Sequence, residues 1–382
     1  MQSCFLQQVR LRQRSGVTLI ELIVVISVLA TLAAVILPSV RRTGGYSRRV
    51  HCLSNLRNVG LAMHAYATTQ RGELPPLTGG FEILNLTPTK ASWRREVPWS
   101  VILLPYLEQT TLYDRIKVPS DRALLPVDEL HELAQSTIEE YRCPSAKTPH
   151  AGGLSYVANA GIIAADRWAA AGNASAHDAA NYDFGFNGYG AENQNVDDAE
   201  AAYSTGVFWH VPMKGIAEGH PRPVTLDEIS AHDGTSQTVL LAENLNTRSY
   251  DPTTRTGGWI SSSLGDIAFG IAVPGQRLGA EFRVDLSSTA SGLGEAGGAK
   301  ETSLKLSQSP VSPASRINSN LAGAVNGSSP RPSALHPGAV NMAFADGSCK
   351  MISEQIDPSV YARLLSPRGG MSGQKLLSDT EF

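Results

Sequence analysis

The chain has 382 residues, 42% of them hydrophobic, enough to bury one large core or two smaller ones. A net charge of -3 and a pI near 6.3, with no basic stripe interleaved with aromatics beyond the first fifty residues, exclude broad electrostatic binding of nucleic acid. Glycine and proline concentrate in the second half, which points to a loop-rich domain containing strands rather than a helical bundle.

The first sixteen residues are basic, with Arg10, Arg12 and Arg14 and no acid. The run 17–37 follows, apolar but for one charge, Glu21. As a helix it covers about 30 Å, the thickness of a bilayer's hydrocarbon core. Its basic flank is expected to stay in the cytoplasm, which places the carboxyl-terminal bulk outside. A secretory signal peptide has a shorter apolar core followed by a small-x-small cleavage site. Here the small residue, Gly16, precedes the apolar run, so cleavage there leaves the helix attached. An uncleaved signal anchor is the plainer alternative, and it gives Glu21 no purpose. A carboxylate inside a membrane helix costs about 2.5–3.5 kcal/mol on insertion scales, so a partner is expected.

Arg14-Ser15-Gly16-Val17-Thr18-Leu19-Ile20-Glu21 resembles the type III signal of type IV prepilins and pseudopilins: a basic leader, a cleaved glycine, an apolar first residue and a glutamate four residues on. Pro38 sits where that family often kinks its helix. The resemblance implies that a prepilin peptidase cuts after Gly16 and methylates the new amine of Val17. It also implies that Glu21 pairs with the Val17 amine of an adjoining subunit. Val17 stands where phenylalanine is usual and, being apolar, is expected to be tolerated.

Beyond Pro38, Gly44-Gly45 should weaken the helix locally, each glycine costing roughly 1 kcal/mol against alanine. Helical periodicity then resumes, with Leu53, Leu56, Gly60, Met63 and Ala67 on one stripe and Ser54, Asn55, Arg57 and Asn58 outside it, until Pro75-Pro76 ends it. Trp99 to Gln109 reads as a buried helical or turn segment. Strand candidates fall at 154–158, 207–210, 238–242 and 340–344. Two segments of low periodicity, 164–202 and 284–333, read as long surface loops. Asp346-Gly347, between alternating apolar positions, predicts a two-residue hairpin turn with both residues at positive φ. His336 precedes Asp346 with nine residues between.

That spacing belongs to a second resemblance, extending nearly end to end, to a bacterial family that joins a prepilin-type segment to a so-called H-X9-DG domain of unknown function. Its pieces are Cys52 to Arg57, Gly60 to Tyr66, Leu103 to Gln109, Cys143-Pro144-Ser145, Ser155-Tyr156, Asn159-Ala160-Gly161, Asp233 to Ser236, and His336-Pro337-Gly338. Gly44-Gly45 departs from the family's usual continuous helix. Cys4 lies in the leader, leaving Cys52, Cys143 and Cys349 in an oxidising compartment, as one disulfide or as three buried thiols. The resemblance places cysteines at 52 and 143, implying that these two pair and tie the upper helix to the head.

Motifs for catalysis or metal binding are scarce. His336 and Asp346 have no further ligands at metal-site spacing, so a structural role is expected: the imidazole satisfying backbone groups, Asp346 and Gly347 supplying the turn. The acids Asp183, Glu192, Asp197, Asp198 and Glu200 lack EF-hand order. The glycine-rich run 292–300 lacks the lysine spacing and flanking elements of a P-loop. No cofactor, metal or enzymatic activity is expected.

The expected architecture is α+β: a leader (1–16), a transmembrane helix (17–37), its continuation (38–74) and an extracytoplasmic head (75–382). The head is a pilin-like antiparallel sheet with long loop inserts, ending in a hairpin region at about 333–370. The expected function is a structural subunit of a type IV pilus-like or type II secretion pseudopilus assembly. Its partners would be the prepilin peptidase, membrane lipid and copies of itself or other pilin-like subunits, with no nucleic acid. It would cross the inner membrane once, and a pilus would carry it to the cell surface. The alternative is a membrane-tethered extracytoplasmic protein that binds a glycan or solute without forming filaments.

Overall fold

The computed structural model describes residues 17–79, 97–116, 127–146, 151–164, 205–211, 222–254, 256–273, 275–278, 281–284, 316–319, 326–327, 331–369 and 376–378. At 35–46, 127–128, 162–164, 272–273, 275–278, 281–284 and 359 only the backbone is described. The leader with Gly16, nearly all of the expected loops at 164–202 and 284–333, the five loop acids and the run 292–300 lie outside these residues. The chain divides into two compact units, 1–47 and 48–382.

In the first unit the described structure is helical. Helix α1 (Leu19–Thr69) begins there, and its bounds take in Pro38 and Gly44-Gly45, where weakening was expected. A capping box fixes its start: Thr18 N and Oγ1 donate to Glu21 Oε2 at 2.8 Å each, and Glu21 N donates back to Thr18 Oγ1 at 3.4 Å. Every large apolar side chain from Val17 to Leu32 is at least half exposed. Among the described residues no helix is long and apolar enough to cross a membrane. Of the span expected over 17–37, residues 35–37 lie outside the described side chains.

In the second unit α1 continues with a buried stripe at Cys52, Leu56, Val59, Met63 and Ala67, spaced by three and four. Asn55, expected outside, is buried because its Nδ2 donates to the carbonyls of Glu139 and Arg142 at 3.0 and 2.8 Å. The helix ends at Thr69, well before the prolines. Arg71 turns left-handed (φ 57°) and Gly72 N donates to Ala67 O at 2.8 Å, the six-to-one bond of a Schellman motif. Trp99–Ile102 is helical, and Leu104–Leu107 forms a tighter 3-10 turn, so the buried segment at 99–109 is broken at Leu103.

Three sheets are formed among the described residues. Strands β1 (Thr78–Gly79), β2 (Val97–Pro98) and β4 (His210–Val211) make a small one in the order β2-β1-β4. The main sheet has the order β10-β9-β5-β3-β6, from β3 (Tyr156–Ala164), β5 (Val239–Glu243), β6 (Ala268–Val273), β9 (Ala339–Phe344) and β10 (Cys349–Ser353). Strands β7 (Gly275–Leu278) and β8 (Glu281–Val284) pair with each other. The main sheet is antiparallel from β10 to β3, whereas β6 runs parallel to β3. A parallel neighbour needs a crossover connection, and more than a hundred residues separate these two strands. Of the strand expected at 207–210, only His210 falls within a strand, while Val207 N and Phe208 N donate to Asn159 O and Trp209 O accepts from Leu77 N.

Strands β5 and β9 are apolar except for Glu243 at the end of β5 and Asn341 within β9, and both are buried along their whole length, as central strands covered on both faces should be. Several polar groups inside are paired. Trp99 Nε1 donates to Ile267 O (2.9 Å), Tyr141 OH to Ser100 O (2.6 Å), and Asn159 Nδ2 to Val239 O and Leu365 O (2.8 and 2.7 Å).

Candidate functional site

The most constrained polar cluster sits where β5 ends. Glu243 closes an apolar strand and is 1% exposed, a position that a carboxylate occupies only when partners hold it. Its Oε1 lies 3.2 Å from His336 Nε2, and it accepts from Asn341 Nδ2 at 3.1 Å. Its Oε2 accepts from Asn341 N at 3.0 Å. Ser333 N donates to the Glu243 carbonyl at 2.8 Å, fixing the segment that carries His336 alongside the strand. The imidazole was expected to satisfy backbone groups; it meets a carboxylate instead, because β9 enters the sheet beside β5 and brings His336 to that strand's end.

The Asp346-Gly347 turn closes β9 and β10 differently from the two-residue form. Phe344 N donates to Ser348 O at 2.8 Å, and Gly347 N donates to Phe344 O at 3.0 Å, so the loop is Ala345-Asp346-Gly347. Only Gly347 has positive φ (81°); Asp346 does not. This is a turn followed by a left-handed glycine, the three-residue hairpin solution. Asp346 Oδ1 accepts from Ser348 N at 2.8 Å, bracing the loop.

Cys52 and Cys143 are joined as a disulfide with Cα atoms 4.8 Å apart. Tyr156 OH donates to Cys52 O at 2.8 Å. Burial, then the charges of Glu243 and Cys349, push the Tyr156 phenol well above its ordinary pKa and keep it a donor. Cys349 is a free, half-buried thiol pushed up to about 11, chiefly by burial and secondarily by Asp346 against the pull of Arg57.

The structure thus brings Cys52, Cys143 and His336 into one neighbourhood with Glu243, while Asp346 and Gly347 serve the hairpin. Val17 and Glu21 lie in the other unit, and Gly16 lies outside the described residues. Sequence reasoning missed Glu243 and Asn341. The available signal was a charge ending an otherwise apolar run, Val239 to Ala242, with nothing in the linear sequence to name its partner.

A family model described as "Protein of unknown function (DUF1559)" matches residues 46–359. A second, described as "Prokaryotic N-terminal methylation motif", matches residues 11–37 and takes in Arg14, Gly16, Val17 and Glu21. No curated protein and no solved structure matches the chain.

Proposed function

This chain belongs to the family described as a protein of unknown function (DUF1559), with a pilin-type, processed amino terminus, and we propose that it is a structural subunit of a type IV pilus-like or type II secretion pseudopilus assembly. The observation that carries the reading is the start of α1. An apolar surface running from Val17 to Leu32 is left uncovered within its own unit, directly after the cleavage motif. Such a surface needs lipid or neighbouring helices to cover it. In a filament both serve in turn: lipid before assembly, packed copies of the same helix afterwards.

On this reading the prepilin peptidase cuts after Gly16 and methylates Val17. Residues 17–37 anchor the chain in the inner membrane, and the sheet-bearing unit is the extracytoplasmic head. Glu21, capped by Thr18 within one chain, exchanges that partner for the Val17 amine of a neighbour. The chain is not an enzyme; His336, Asp346 and Gly347 hold the head together. A second reading is a tethered binding protein, which the family model's label, SBP_bac_10, favours.

Glu21→Gln and Glu21→Val separate the two. A filament subunit bearing either change is still cleaved and methylated, as intact mass reports, but accumulates as membrane monomers. Wild-type multimers from both variants would rule out the filament role.

A further inference from the structure

One ligand atom from each of Cys52, Cys143, Glu243 and His336 lies within 4.8 Å of every other. All four residues are buried, the most exposed being His336 at 5%. A tetrahedral zinc ion with bonds of about 2.0–2.3 Å keeps its donor atoms roughly 3.3–3.8 Å apart. His336 Nε2 and Glu243 Oε1, at 3.2 Å, already stand close to that separation. Two thiolates, an imidazole and a carboxylate suit a borderline-soft cation, whereas calcium and magnesium prefer all-oxygen shells. An outer shell is also in place: Asn341 holds both oxygens of Glu243, and Ser145 Oγ lies 3.6 Å from Cys52 Sγ, where it can donate to a thiolate.

We propose that these four residues form a site for a zinc-class divalent cation when Cys52 and Cys143 are reduced, so that disulfide and metal are alternative states of one place in the fold. Chains are synthesised with free thiols, so the metal-competent state precedes the disulfide. To return from the disulfide, a dithiol reductant supplies two electrons and two protons and leaves as its own disulfide. The two thiols formed then release their protons as the cation binds. In the disulfide neither sulfur is an anionic ligand, and the His336–Glu243 pair alone remains. This inference does not depend on the filament reading.

The test uses the full chain in detergent with Cys4→Ser and Cys349→Ser, reduced without oxygen and titrated with Co²⁺ as a spectroscopic stand-in for Zn²⁺. One equivalent should bind, with thiolate-to-cobalt absorption in the near ultraviolet. Zn²⁺ should displace it and shield Cys52 and Cys143 from iodoacetamide. The disulfide-bonded chain, His336→Ala and Glu243→Gln should each bind at least about a hundredfold more weakly, and Asn341→Ala roughly tenfold to a hundredfold. If reduction unfolds the chain, Zn²⁺ should restore its secondary structure, since binding then contributes folding free energy. Substoichiometric uptake, affinity indifferent to His336→Ala and Glu243→Gln, or an unfolded reduced chain that Zn²⁺ does not refold would overturn the proposal.

Discussion

His336 Nε2 and Glu243 Oε1 stand 3.2 Å apart, buried, and 93 residues distant in sequence. The contact ties the approach to β9 to the end of β5, and Asn341 completes the carboxylate's partners from within β9. Removing the imidazole leaves a buried carboxylate short of one partner. His336→Ala is expected to cost about 1–3 kcal/mol in denaturant unfolding of the full chain in detergent. His336→Gln, which keeps a donor, should cost clearly less. A loss below about 1 kcal/mol for His336→Ala would show that the pair is not structural.

The hairpin predicts a sharper contrast at one position. A Cβ built on Gly347 meets His64 only at ordinary contact distance, 3.5 Å, so the obstacle to substitution is the positive φ rather than space. Gly347→Val should lose about 1–2 kcal/mol or more, because a β-branched residue resists the left-handed region. Gly347→Asn should retain most of the stability. Equal melting of the two variants would contradict the three-residue loop.

How much of this was legible in the sequence depended on how local each signal was. The processing motif is contiguous, so Arg14 to Glu21 could be read directly, although the Thr18–Glu21 capping box within it went unnoticed. The β9–β10 hairpin was visible from Asp346-Gly347. Its loop was one residue longer than expected, because Ala345 reads as one more strand residue while its N–H leaves the ladder for Thr238 O. Asn55 looked like a surface residue, since its two carbonyl partners arrive from more than eighty residues away. Glu243 was invisible for the same reason: its role exists only once β5 and β9 are adjacent.

The cysteines give a prediction in which pH sets the rate. Peptide mapping without reductant should recover Cys52 joined to Cys143 and Cys349 free. The raised pKa of Cys349 means less thiolate than an ordinary cysteine at any pH below about 11. At pH 8 its alkylation should run on the order of a hundredfold slower than that of an exposed thiol, accelerating as pH climbs toward 11. Fast labelling at pH 8, or Cys349 found in a disulfide, would contradict the burial around β10.

The filament reading is tested most directly by asking whether copies of α1 lie against one another in the cell. Ile23→Cys and Ile26→Cys, combined in one chain with Cys4→Ser and Cys349→Ser, place two reactive thiols on the uncovered apolar helix, so that each chain can be linked to more than one neighbour. A thiol-specific bifunctional crosslinker should then give a ladder of dimers, trimers and higher species of the processed chain, and Glu21→Val should collapse the ladder. Processed chains that stay monomeric with both probe positions would contradict assembly and leave a tethered binding protein.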